Sequence, residues 1–332
     1  MPLRTGKLEP AHLADLLRRH ATQVPRVVIA PRVGEDAAVI ELPDRYLVVG
    51  TDPVTLVDEE IGHYVVAINA NDVATLGARP LFFSCVLLFP AGATELVDVE
   101  QTFAGIARAC EEHGVAWIGG HTEVTPAVWA PLAVGQMLGE VAHGALVRKE
   151  SARVGDIVLL TKGLAIEAVS IIARLRADEV RATHGDPFLA RARRFLYEPG
   201  IGIVREALAA AATGAVHAMH DPTEGGLATG LAELAEATGL GLSIDADAIP
   251  VYPEARELCD ELGLDPLGVI ASGSLLVVAD RDAAFAVVRS IGETGVSCSV
   301  IGEVVAEPGC RFLDGSPLPS FAVDEITRLV AR

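Results

Sequence analysis

The sequence predicts a mixed α+β protein built from two domains, an α/β mixture rather than one doubly wound sheet. Three observations lead there. At 332 residues the chain exceeds one typical core and suits two domains of ordinary size. Strand-like and helix-like segments mix without a strict βαβα alternation. A polar stretch, VRKESARVGD, interrupts the apolar pattern at 147–156 and divides an N-terminal domain, 1–150, from a C-terminal domain, 151–332. No solenoid-type repeat is present.

The elements follow in order. Residues 10–20 carry apolar positions at helical spacing after a proline and predict a short helix. Two β-rich runs, 38–42 and 46–51, flank Pro43-Asp44-Arg45 as a hairpin. Residues 61–76 read as a helix stopped by Gly77 and Pro80. A strand at 81–89, a helix at 95–113 closed by Gly114, and strands at 115–118 and 131–142 complete the first domain. In the second, a strand at 157–161 leads through Thr161-Lys162-Gly163 into a helix, and two helices cover 187–212. A strand at 216–219 runs through HDPTEGG into a helix at 226–237. Strands at 241–245, 274–279 and 297–304 alternate with helices at 253–262 and 281–294. A last helix covers 322–331.

Composition narrows the function. Half the chain (51%) is hydrophobic but only 5% is aromatic, so Ala, Val, Leu and Ile must build the cores. The formal charge of −19, with no Lys/Arg cluster, argues against nucleic acid and anionic membrane partners. A nucleotide carried by a divalent cation fits such an acidic chain. The five cysteines are dispersed with no C-x-x-C pair, which suggests reduced thiols. With no signal-peptide pattern and no spanning apolar run, the expected location is the cytoplasm. Lysine occurs only at 7, 149 and 162, arginine supplying every other cation.

No G-x-x-x-x-G-K-[ST] loop is present. Gly200-Ile-Gly202 follows a helix-like segment and reads as a helix start. His217 and His220 lack a third nitrogen or sulfur ligand for zinc, although one of them, next to Asp221, is placed to contact a ligand. The stronger signal is a series of aspartates beside small residues: Asp36 in GEDAA, Asp52 in TDP, Asp72 in NDVATLGARP and Asp221 in HDPTEGG. Singly, Asp36 also reads as a turn, Asp52 as a strand-end cap and Asp221 as a helix cap. Asp72 differs, because Asn69, Asn71 and Asp72 crowd an otherwise apolar helix and need partners there. Oxygen ligands from separate loops suit Mg²⁺ with phosphate. Glycines at helix starts, Gly225-Gly226 and Gly163 after Lys162, offer backbone N–H groups to phosphate. Together these suit a Mg-ATP site made without a P-loop.

The stretches GEDAAVI (34–40), TDP (51–53), NDVATLGARP (71–80), GGHTEV (119–124), HDPTEGGLAT (220–229) and LGLDPL (262–267) resemble the aminoimidazole ribonucleotide synthetase superfamily. Within it they are similar to the HypE-type hydrogenase maturation factors. The resemblance implies a two-domain PurM-like fold whose N-terminal domains pair into a shared barrel across a homodimer, with ATP and Mg²⁺ bound nearby. It implies phosphorylation of an amide- or carbamoyl-type oxygen of a small-molecule substrate, and a possible maturation partner protein. By position, Asp36, Asp52, Asp72 and Asp221 would hold magnesium and phosphates. Asn71 and the Gly225-Gly226 turn would support them, and His121 and Glu123 would face the transferred group. From the residues themselves, Gly34 lets the backbone turn beside phosphate, and Lys162 at a helix start reads either as a cation neutralising phosphate or as a surface lysine.

The sequence departs from the maturation factors at three places. Their terminal Pro-Arg-Ile-Cys is DEITRLVAR here. The lysine of their Gly-Asp-Thr-Lys-Val is replaced by Glu123, and their Asn-Glu-Gly aligns with Ala271-Ser272-Gly273. These changes lead to the expectation of ATP chemistry on a different, free substrate. The alternatives are a small-molecule kinase resembling thiamine-monophosphate kinase, or a non-catalytic ATP-binding assembly protein.

Overall fold

The computed structural model describes residues 6–22 and 24–330. Contacts divide the chain into two units. The change falls between Leu146 and Val147, a few residues before the boundary read from the sequence. The described residues up to Val24, together with Ala30–Glu35, group with the C-terminal unit. Long-range bonds within that unit explain this. Lys7 Nζ stands 3.3 Å from the Glu224 carboxylate, and Lys149 Nζ donates to the Gly34 carbonyl.

The N-terminal unit is one sheet carrying two helices. Its strands are β1 (Val27–Ile29), β2 (Ala38–Glu41), β3 (Arg45–Gly50), β4 (Pro53–Val54), β5 (Arg79–Pro90), β6 (Ala116–Thr125) and β7 (Leu132–Ala142). They lie in the order β1-β2-β3-β7-β5-β6, with β4 also on β7. Only β5 and β6, which are joined by a helix, run parallel. The predicted hairpin forms as β2–β3, Ala38 opposite Val49. Helix α2 (Ile61–Thr75) packs on β7, β3 and β5 and against α3 (Leu96–His113).

Every residue of α2 is buried, as expected of a helix that is apolar all round. Its approach to α3 requires a glycine. A Cβ on Gly62 would fall 2.3 Å from the Thr102 carbonyl oxygen.

The C-terminal unit holds a second sheet. Its strands are β8 (Ile157–Thr161), β9 (Val216–His220), β10 (Gly241–Ile244), β11 (Leu276–Ala279), β12 (Cys298–Val305) and β13 (Gly309–Phe312). The order is β13-β10-β12-β8-β11-β9, with only β10–β13 parallel. The helices in this unit are α1 (Pro10–His20), α4 (Ile166–Leu175), α5 (Ala177–His184), α6 (Asp186–Arg194), α7 (Val204–Ala211), α8 (Gly226–Thr238), α9 (Pro253–Leu262), α10 (Ala284–Gly292) and α11 (Thr327–Val330). None of the described helices is long and apolar enough to cross a membrane.

Sequence and structure differ at the edges. The short strands β1, β4 and β13 carry too few residues to show a period. The last helix covers only Thr327–Val330, and the predicted end at 331 lies outside the described residues. The strand expected at 115–118 runs on to Thr125. Gly119 and Gly120, just past the predicted end at 118, continue the ladder beyond a bulge opposite Phe83 and Ser84. A Cβ on Gly120 would fall 1.8 Å from the Cys85 carbonyl oxygen, so glycine is what lets β6 approach β5 there.

Candidate functional site

In the N-terminal unit buried polar side chains of α2 bond two of the four predicted aspartates, Asp36 and Asp52, and α2 itself carries a third, Asp72. Asp36 precedes β2, Asp52 follows β3, and Asp72 sits one turn from the end of α2. Thr75 Oγ1 donates to Asp36 Oδ2 at 3.0 Å and also reaches the Asp72 carbonyl at 2.7 Å. A Cβ on Gly50 would lie 3.2 Å from Asp72 Cβ, so the end of β3 closes directly over Asp72.

Asn69 fixes the backbone of Asp52 from both sides. Its Oδ1 accepts the Asp52 N–H at 2.9 Å, and its Nδ2 donates to the Asp52 carbonyl at 3.2 Å and the Val65 carbonyl at 2.8 Å. The presence of Asn69 and Asp72 in an apolar helix is thereby explained. Asn69, Asn71 and Asp72 are all buried, and Asn69 and Asp72 are fitted to the ends of strands.

His121 and Glu123 sit elsewhere in this unit. They occupy β6, an edge strand, with β7 and β5 lying between it and β3. Being two residues apart they share one side of the strand. His121 Nε2 and Glu123 Oε2 are 3.4 Å apart and both side chains are exposed.

The C-terminal unit carries a polar system of its own. Lys149 is buried; its ammonium donates to the Gly34 carbonyl and lies 3.2 Å from His220 Nδ1. His220 Nε2 in turn faces Glu233 Oε2 at 3.0 Å. Asp221 follows, also buried, on the turn into α8. Gly34 takes φ +80° where a Cβ would meet the Glu233 carbonyl oxygen at 3.1 Å. Glu35 pairs with Arg32, which also reaches Glu150 at 2.6 Å.

Two sets of donors expected to meet phosphate have partners within the chain in this structure. The turn at Gly225-Gly226 does not hold its amides open for phosphate. Gly225 N–H donates to Asp324 Oδ2 at 2.6 Å and Gly226 N–H to the Thr223 carbonyl at 3.1 Å. The glycines serve positive φ and close approach, since a Cβ on Gly226 would fall 2.4 Å from the Leu267 carbonyl oxygen. Lys162 is likewise engaged. Its ammonium lies 2.9 Å from Glu206 and donates to the carbonyls of Gly200 at 3.1 Å and Gly202 at 2.6 Å, which matches its three donors. Burial holds its pKa down, against the pull of Glu206.

Sequence reasoning missed Thr75, Lys149, Glu233 and Asp324. Lys149 carried a usable signal, being one of three lysines in an arginine-rich chain. Thr75 lay inside the quoted NDVATLGARP, three residues after Asp72. Asp324 gave none, because its partner Gly225 is about a hundred residues away.

The comparisons agree with this architecture. The family models AIR synthase related protein, N-terminal domain, and AIR synthase related protein, C-terminal domain, match residues 34–141 and 153–315. The chain is 31% identical to carbamoyl dehydratase HypE of Cupriavidus necator, over 94% of this chain and 89% of that protein. A solved structure of hydrogenase maturation protein HypE in complex with ATP superposes with a TM-score of 0.67 at 25% identity, covering 96% of each chain. AaThiL complexed with AMPPCP and TMP gives a TM-score of 0.76 at 20% identity over 97% of this chain and 99% of that one, a likeness of fold. With both halves matched and a full-length relative at this identity, the chain belongs to the AIR synthase related family, alongside the HypE carbamoyl dehydratases.

Proposed function

We propose that this protein is an ATP-dependent enzyme that phosphorylates an amide- or carbamoyl-type oxygen of a small molecule, with Asp36, Asp52 and Asp72 holding Mg²⁺ for the nucleotide. The observation that carries this reading is the construction around the three aspartates. Thr75 ties Asp36 to α2, Asn69 clamps the backbone of Asp52, and Gly50 leaves room for Asp72. An all-oxygen donor set of this kind suits Mg²⁺, which takes carboxylates and phosphate oxygens. When bound, the metal would neutralise phosphate charge as it is transferred. The protein's own part is to hold the carboxylates in place before the nucleotide arrives.

His121 and Glu123 fall outside that cluster within one copy of the unit. We further propose that two copies join along β6 into the shared barrel, which would make these residues part of a site that two copies complete. Where HypE-type factors carry lysine, Glu123 supplies an anion, so the substrate is expected to differ from theirs. A maturation partner protein would then deliver or receive that substrate.

The test uses purified protein with labelled ATP and Mg²⁺, alone and with pools of small amides and carbamoyl compounds, followed by ³¹P NMR. Orthophosphate released together with a changed amide supports the reading. A stable phosphorylated metabolite would favour a kinase, and nucleotide binding without turnover a non-catalytic role. Asp72→Asn is expected to weaken Mg²⁺-dependent nucleotide binding by on the order of 100-fold. An unchanged affinity would place the metal elsewhere.

A further inference from the structure

The C-terminal unit buries a lysine that the reading above does not use. Lys149 opens a short 3₁₀ turn, Lys149–Ser151, which packs against β9 and α8. It is only 1% exposed, so its ammonium has exchanged water for partners within the fold. Two of them are the Gly34 carbonyl and His220 Nδ1. Taking an ammonium out of water costs more than one carbonyl bond returns. Stability alone is therefore a poor reason for lysine at this position.

Its bonds fix a direction. An ammonium has donors only, so His220 Nδ1, 3.2 Å away, must present a lone pair. The ring proton then sits on Nε2, which donates to Glu233 Oε2 at 3.0 Å. Lys149 is thereby oriented by α8 through His220, and its hold falls on one turn. That turn covers 32–35, where Glu35 N–H donates to the Arg32 carbonyl at 3.3 Å. Gly34 within it lies so close to α8 that a Cβ would meet the Glu233 carbonyl oxygen at 3.1 Å and Ala237 Cβ at 3.2 Å. Successive residues grip the turn from inside and outside. Lys149 takes the Gly34 carbonyl, and Glu150 takes the Arg32 guanidinium at 2.6 Å. The chain runs straight from this turn into Asp36.

We propose that Lys149 is a positioning residue for Asp36, and that His220 serves it as the Nε2–H tautomer. Lys149 fixes the carbonyl two residues before Asp36 and so the course on which that carboxylate enters the nucleotide site. Neither residue needs to touch the nucleotide. This goes beyond the reading above and rests on it for the role of Asp36.

Two measurements on the full chain test this. The first is ¹⁵N NMR of the His220 ring, whose signals are identified by their loss in His220→Asn. A protonated Nε2 and a bare Nδ1 are expected, in a pattern that Lys149→Met disturbs. A protonated Nδ1 in the parent protein overturns the arrangement. The second is titration calorimetry with Mg-ATP. Lys149→Met should weaken binding about 10- to 100-fold, and Asp36→Asn should weaken it too. The double variant should match Asp36→Asn alone to within about 2-fold, because Lys149 acts through Asp36. A merely structural lysine would give losses that add. His220→Asn places an amide oxygen where Nδ1 stands and should keep the affinity, whereas His220→Leu should lose it. His220→Leu combined with Asp36→Asn repeats the comparison if Lys149→Met does not fold. Unchanged affinity or additive losses overturn the positioning role alone. An Asp36→Asn variant that binds Mg-ATP as tightly as the parent overturns the nucleotide reading instead, whichever tautomer is found.

Discussion

Asn69 positions Asp52, the metal ligand proposed above, without needing to touch a ligand. Its amide makes three hydrogen bonds, two of them to the backbone of Asp52. That fixes where the chain leaves β3 and so where the Asp52 carboxylate starts from. Gly135 is part of the same device, since a Cβ there would fall 2.3 Å from Asn69 Nδ2. Glu167 illustrates the opposite use of burial, a carboxyl left without full compensation. Its value near 8 in the fold lies above that of an unfolded glutamate, so between those two values the unfolded chain has released a proton that the native state keeps. Stability must then fall as pH rises through that window, and level off above about 8. The stabilisation lost across the window is on the order of a few kcal/mol. Glu167→Gln should flatten this slope, as measured by urea denaturation at a series of pH values from 5 upward. A variant that keeps the full slope would assign it to other groups.

Helix α2 and the Lys162 loop show how much of an element's role the sequence made legible. The apolar run of α2, its stop at Gly77 and its misplaced asparagines were all readable, because they break a local rule. What those residues bind was not, since Asp52 and Asp36 reach them through strands far along the chain. Lys162 looked like a phosphate ligand because it opens a helix after a strand. Only the tertiary structure shows its ammonium paired with Glu206 and donating to two carbonyls. Because Glu206 is itself buried, Lys162→Met would leave an uncompensated charge. The expected cost is about 3–5 kcal/mol, with much of it recovered in the double variant Lys162→Met/Glu206→Leu. Nucleotide affinity of the double variant, measured by titration calorimetry, should match the parent protein. A large loss of affinity would return Lys162 to the phosphate site.

The N-terminal sheet ends on one side at β1, three residues long, and on the other at β6, ten residues long. Short edges are ordinary protection against pairing, whereas a long edge with apolar side chains invites a partner. Ile118 is 59% and Val124 54% exposed on β6, and Phe82 and Val86 are exposed on the adjoining β5. No lysine or proline lies within β6 to blunt it. A second copy seated there would supply the missing ladder and cover these side chains, giving the homodimer proposed above. Charge works against it, because each chain carries −19 and two copies repel through solvent. Association must therefore rest on apolar burial and backbone hydrogen bonds. Added salt, by screening like charges within about 10 Å at 0.1 M, should tighten the dimer rather than loosen it. Sedimentation equilibrium of the full chain should show a dimer whose dissociation constant falls from low to physiological salt. Ile118→Asp/Val124→Lys should be a folded monomer under both conditions. A parent protein that stays monomeric at high concentration, or a dimer that the double variant leaves intact, would move the interface away from β6.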